Sequence, residues 1–411
     1  MRIPGTILCL LLPLLASCQA CGTADPGTSP AGTTSAQPAS PDDLPPPKTR
    51  HRTTSGDISL GNLGGTITTL ERLVARPDPK GQRRRQLVDA LLTRAEFGGR
   101  LADYDRASEL AEALPEQHPE DIESYLTRAS VRSALHRFDD ASADLAEAER
   151  RGAPPARTRR LRASLLAGRG QIEEALTLHL EARAAQPDID THGAVAVLLG
   201  ELGRRKEAIA AFREALASFD GTSPFPVAWL FFREGQLWER EGRRDLAIAY
   251  HRAALERIPA FAHAAAHLAR LSPPEEAESI LKPLTTTSDD PDIDAVLADK
   301  ARERNDPTAA AEHVSRAARR YEELVTRHPA AFADHAAQFW LDTGNDPKKA
   351  LALARKNLEV RKTVRAYQLA VLAALGADDR TSACELGTEA LKLPHMTSML
   401  RDTIHGACEK R

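Results

Sequence analysis

Along residues 205–217, RKEAIAAFREALA, small and apolar residues recur at helical spacing with charged residues between them. The same pattern stands at 244–256 (RDLAIAYHRAALE), 172–184 (IEEALTLHLEARA) and 138–150 (FDDASADLAEAER). Each stretch carries an alanine in one register: Ala141, Ala175, Ala208 and Ala247. Extended both ways, the comb reaches Ala107, Ala277, Ala317, Ala350 and Ala383, with spacings of 34, 34, 33, 39, 30, 40, 33 and 33. Twelve residues before the anchors runs a second row: Ala95, Ala129, Ala163, Ala196, Gly235 and Ala265. A small residue where two helices cross lets their axes approach to about 8–10 Å; a larger side chain holds them apart. The pattern therefore predicts a run of helix–turn–helix units. The turns fall at Gly168-Arg169-Gly170, Gly203-Arg204-Arg205 and Gly242-Arg243-Arg244, and Pro119, Pro187, Pro259 and Pro329 close units, since proline suits a helix start and disfavours helix just before it. No sustained period-two alternation of β-branched residues argues for strands.

A repeat near 34 residues that reads helix–turn–helix resembles the tetratricopeptide (TPR) family over roughly residues 60–411. Tyr125, Phe231, Phe261 and Tyr367 stand near the position of the family's large aromatic, while Arg128 and Arg162 replace its leucine. The resemblance implies an all-α solenoid, a right-handed superhelix whose concave groove binds segments of other proteins. By the family's groove positions, counted from the small residue of the first helix, the inner wall would carry Arg157 and Arg160 in one unit. Two units on it would carry Trp229, Phe232, Gln236 and Glu239. An exposed apolar patch there would mark a binding surface; the alternative is that Trp229, Phe231 and Phe232 pack against the connection at 219–227.

Residues 1–17 read as an export signal: Arg2, then a short apolar run at Ile7–Leu15, too short for the roughly 20 residues a membrane span needs. The run ends Leu15-Ala16-Ser17-Cys18, which looks like a bacterial lipobox and marks Cys18 for lipidation. Residues 18–57 are rich in Pro, Ser, Thr and Gly and read as a disordered linker. Residues 58–411 form the solenoid, about nine helical pairs with a capping helix at each end. The first cap is expected near Thr66–Ala75, with Thr68 and Glu71 as a capping box, and the last near Met396–Glu409. The register breaks at 219–227 and at 285–310, each a lengthened connection.

Aromatic residues make up only 4% of the chain, which fits close-packed helices better than a sandwich or barrel. A formal charge of −3 gives no electrostatic reason to expect nucleic acid. No P-loop, G-x-S-x-G or H-E-x-x-H is present. His263 and His267, at i and i+4, share a helix face but lack an obvious third ligand, so neither a metal nor a cofactor is expected. Cys384 and Cys408 fall on two final helices where they could meet; a disulfide and two buried thiols both remain open. The expected function is a non-catalytic scaffold, tethered by lipid to the bacterial envelope at the periplasmic face of the outer membrane, that holds an envelope protein or peptide segment, with no nucleic acid and no small-molecule substrate. A metal-binding or enzymatic protein built on the histidines and a self-assembling structural solenoid are the alternatives.

Overall fold

The computed structural model describes residues 44–47, 52–394, 396 and 398–409. The export signal, Cys18 and most of the linker lie outside the described residues. All regular structure among the described residues is helical. After α1 (Gly56–Val74) the helices come in antiparallel pairs: α2 (Gln82–Gly98) with α3 (Ala102–Gln117), α4 (Ile122–Ala134) with α5 (Phe138–Arg150), and α6 (Pro155–Arg169) with α7 (Ile172–Ala185). Next come α8 (Ile189–Glu201) with α9 (Arg205–Ala217), α10 (Pro224–Arg240) with α11 (Arg244–Arg257), and α12 (Ala262–Leu271) with α13 (Pro274–Leu281). Then follow α14 (Pro291–Glu303) with α15 (Pro307–Arg327), α16 (Pro329–Leu341) with α17 (Pro347–Val360), and α18 (Val364–Gly376) with α19 (Arg380–Ala390). The helix α20 (Ser398–Cys408) ends the series. No helix among the described residues is long and apolar enough to cross a membrane.

The alanine comb does what its spacing predicts. Ala107, Ala141, Ala175, Ala208, Ala247, Ala277, Ala317, Ala350 and Ala383 all have 0% exposure, as do Ala95, Ala129, Ala163, Ala196 and Ala265 on the partner helices. Each sits where two helices cross. Every turn inside a pair except that between α12 and α13 takes one left-handed residue, which glycine adopts without steric cost. Gly203 and Gly242 supply it with φ 70° and 69°. In other pairs His136, Asn305, Asn345 and Asp378 take the same conformation, three of them Asn or Asp, the types that tolerate it best after glycine.

Three expectations change. The first helix starts ten residues early, at Gly56 rather than near Thr66. Packing of Ile67, Leu70 and Val74 carries it through the glycine run. Thr68 is therefore interior, its hydroxyl bonded back to the Gly64 carbonyl, and Glu71 pairs with Arg106 on α3 instead of capping. The stretch 285–310 is not a bare connection, because α14 lies within it; Asp290 caps that helix and Pro291 starts it. Most of 219–227 likewise belongs to α10, which begins at Pro224.

The path of the helices brings sequence-distant pairs together. Phe97 of α2 has its ring centroid 4.8 Å from both Phe225 of α10 and Phe261 before α12. The Gly99 carbonyl accepts the Asp289 N–H at 3.0 Å and the Ser288 hydroxyl at 2.8 Å. Asp105 of α3 takes both Arg327 at 2.6 Å and His328 at 2.7 Å. His136 places Nδ1 3.1 Å from the Ala330 carbonyl, and Gly170 lies against the Lys362 carbonyl. These contacts form a seam between one turn of the solenoid and the next. At the far end, Cys384 of α19 and Cys408 of α20 are joined by a disulfide, with Cα atoms 5.1 Å apart.

Candidate functional site

The six residues assigned to the inner wall do not form one surface. Arg157 reaches back to Glu123 of α4, with Nη2 and Oε2 2.8 Å apart. Arg160 reaches forward to Asp188 at 2.9 Å. Asp188 is the N-cap of α8 and closes a capping box with Thr191, so this arginine braces a helix start. Trp229 is half-buried, and its ring lies over Gly193 of α8, where an added Cβ would come within 3.1 Å. Phe232 and Gln236 are 1% and 0% exposed. They are core residues, and the groove assignment is corrected for both. The cause is the seam: Phe97 of α2 lies against α10, and the ring of Phe232 stands 5.0 Å from that of Phe261.

Glu239, the sixth residue, stands in a different company. Its Oε1 lies 2.5 Å from His251 Nε2 and 2.8 Å from His267 Nδ1. The three side chains come from α10, α11 and α12. Their donor atoms all lie within 4.8 Å of one another, a group able to hold a metal ion. The rings of His251 and His267 stand 5.7 Å and 5.3 Å from the Phe232 ring, so an apolar wall backs the cluster. Burial opposes ionisation of Glu239, yet the charge of His267 and the hydrogen bonds from both imidazoles outweigh it and hold this carboxyl well below the usual range. Burial pushes the pKa of His251 down, while the hydrogen bond and charge of Glu239 act the other way. The expectation of no metal rested on the missing third ligand for His263 and His267. The fold splits that pair: His263 Nδ1 turns toward Asp290 at 3.5 Å, while His267 meets Glu239 and His251. In the sequence His251 is one position within the repeat stretch 244–256, and no motif ties it to Glu239 or His267.

A second feature is open to solvent. Between α5, α6 and α7 lies a cleft of about 490 Å³. Leu145 and Leu165 form its buried base, and Leu166 and Leu178 line it half-buried. Arg162 and Arg169 stand at its edge. Arg162 is held by Glu149 at 2.6 Å, and Arg169 by Asp139 at 2.7 Å and the Ser142 hydroxyl at 3.0 Å. Both acids lie toward solvent, Asp139 fully, so these pairs are exchangeable. Arg162 was visible in the sequence as an arginine where the family carries leucine; Arg169 looked like a turn residue.

No family model matches the chain, and no curated protein matches it. Among solved structures it is similar to a human IFIT1 dimer with PPP-AAAA, at 19% identity, with a TM-score of 0.48, over 80% of this chain and 77% of that one. The chain is an all-α, TPR-like helical solenoid. The exclusion of nucleic acid is withdrawn. A net charge of −3 was never a sufficient ground, since it averages over surfaces where arginines gather locally.

Proposed function

We propose that this chain is a non-catalytic binding scaffold that holds a segment of a partner protein in the cleft between α5, α6 and α7. The observation that carries the reading is the pairing of a leucine base with an arginine edge in one opening of about 490 Å³. An apolar side chain inserted there gains about 1.5–3 kcal/mol for full burial. Arg162 and Arg169 add charge-assisted bonds to an acidic group, each an exposed pair worth about 1 kcal/mol or less. The ligand is thus an amphipathic segment with leucine-like anchors and a carboxylate. Lipidation of Cys18, after removal of residues 1–17, tethers the solenoid of residues 58–411 to the bacterial envelope through the linker of residues 18–57. Gln19 after the lipidated cysteine favours the periplasmic face of the outer membrane.

The test is a titration of the full chain with an amphipathic peptide bearing leucines on one face and glutamates on the other, and in parallel with an oligoadenylate. Peptide binding that is lost in Leu178→Asp and weakened in the Arg162→Ala, Arg169→Ala double variant supports the reading. Oligonucleotide binding that is lost in the same variants makes the cleft a nucleic-acid site and sinks the peptide assignment. Binding of neither sinks it too.

A further inference from the structure

The cleft accounts for none of the buried polar groups around Glu239. We propose that Glu239, His251 and His267 form an internal site for a first-row divalent cation, zinc by its ligand chemistry. One carboxylate and two imidazoles are a donor set that zinc favours, and three protein ligands leave a fourth place for water or another donor. The ligands arrive on three successive helices, so a bound ion would tie α10, α11 and α12 together.

The distances fit after a small opening. Zinc holds imidazole nitrogen at about 2.0–2.1 Å and carboxylate oxygen at about 2.0–2.2 Å, which sets tetrahedral donors roughly 3.3 Å apart. The present separations from Glu239 Oε1 are 2.5 and 2.8 Å. Side-chain rotation of less than about 1 Å makes the room. Each imidazole would then ligate through the nitrogen now turned to Glu239, and its hydrogen would move to the other ring nitrogen.

The independent observation lies in what the hydrogen-bonded cluster leaves over. Gln236 is 0% exposed, with neither Oε1 nor Nε2 partnered among the described residues. It stands three residues before Glu239 on α10, hence on the same helix face. Buried polar groups normally find partners, and an exception calls for a reason such as an ion or water. The position of His251 is also built: Gly235 leaves the space its ring occupies, since a Cβ there would fall 2.6 Å from Cε1.

The experiment uses the full chain carrying Cys9→Ala, Cys18→Ala and Cys21→Ala, which removes the N-terminal thiols as rival ligands. The protein is stripped with a chelator and titrated with zinc chloride against a competing indicator, with metal content and melting temperature read together. One equivalent of zinc per chain and a rise in melting temperature are expected. Glu239→Gln and His267→Gln, each checked for native helicity, should weaken binding by about a hundredfold or more, since even outer-sphere changes cost 10–100-fold. X-ray absorption of the zinc-loaded parent should show two imidazoles and oxygen donors, which keeps the question decidable if a variant fails to fold. A folded, stripped chain that takes up no zinc overturns the site. So does undiminished binding in Glu239→Gln, or a first shell with sulfur or without the two imidazoles.

Discussion

Gly235 faces the imidazole of His251 so closely that a Cβ at 235 would stand 2.6 Å from Cε1 and 2.7 Å from Nδ1. In the units on either side, this place on the first helix is alanine, Ala196 and Ala265. Here even a methyl group is too large, because the residue opposite is a histidine and not a small or aliphatic one. Gly235→Ala gains about 1 kcal/mol of helix propensity, but overpacking a tight core costs about 1–3 kcal/mol. Steric crowding should win, and the variant should melt earlier than the parent. Urea titration decides it: a variant as stable as the parent, or more so, means the ring moves aside freely.

His136 gives a pH-dependent prediction. It is buried in the left-handed turn between α4 and α5, its ring stacked on Phe138 and its Nδ1 near the Ala330 carbonyl across the seam. Burial pushes its pKa down to about 3, and the nearby Arg361 and His335 act the same way; Asp334 and the Ala330 carbonyl oppose them. The unfolded chain binds this proton near pH 6.5 and the folded chain only far below. The group's contribution is therefore full above pH 6.5 and is lost progressively as pH falls toward 3. At pH 5 the loss is about 2 kcal/mol relative to pH 7.5, from one and a half pH units at 1.36 kcal/mol each. His136→Asn keeps a residue that tolerates positive φ and an amide donor, yet does not titrate. Asp89 and Glu234, both raised to about 7 by burial, contribute an opposite slope in both proteins. The difference in stability between parent and variant should shrink by about that amount between pH 7.5 and pH 5. A constant difference would mean the folded His136 titrates normally.

Most of the architecture was legible because it depends on spacing. Ala141, Ala208 and Ala247 recur by helix geometry, and nothing else in the chain has to be known to place them at crossings. What could not be read was the relation between one solenoid turn and the next. Phe97 and Phe261 are 164 positions apart in the chain, and no local period signals that they touch. Once they do, Phe232 and Gln236 pass from a supposed open wall to the core. The same applies to the histidines: the i, i+4 rule found His263 and His267 on one face, but the fold selected His251 and Glu239 as the partners of His267 alone. Helix starts were misjudged where glycines suggested a loop. The run at Gly61, Gly64 and Gly65 is helical because neighbours such as Ile67 and Leu70 pack, which overrides propensity.

The disulfide between Cys384 and Cys408 should act locally. It closes a loop of 24 residues, and cross-linking a loop of that size stabilises by about 3 kcal/mol in the chain-entropy account. The helix it fastens, α20, is short and has no helix beyond it among the described residues; its hold otherwise comes from Leu400, Ile404 and Ala407. Terminal elements of a solenoid open most easily. Cys384→Ser, or reduction of the parent, should therefore speed hydrogen exchange across residues 398–408 while leaving α2–α12 unchanged. Unaltered protection of α20 after complete reduction would show that packing alone holds the helix.

The last prediction concerns Phe97 and separates this solenoid from a simple one. In a linear repeat array each unit contacts only its neighbours, and a core deletion weakens only the interfaces it touches along the chain. Phe97 is 0% exposed and lies 4.8 Å from the rings of both Phe225 and Phe261. It belongs to α2, yet it packs into the core built by α6 to α12. Truncation to alanine should cost about 3–5 kcal/mol, the usual range for a buried phenylalanine. More telling is where the loss appears. Native-state hydrogen exchange of Phe97→Ala should show lost protection in α2 and, at similar free energy, in α10 and α12, with α5 and α6 less affected although they are nearer in sequence. Ala129→Ser, at a crossing within the repeat, serves as the control and should disturb α4, α5 and their direct neighbours. If Phe97→Ala loosens only α1 to α4, the turns of the solenoid are energetically independent, and the seam does not couple them.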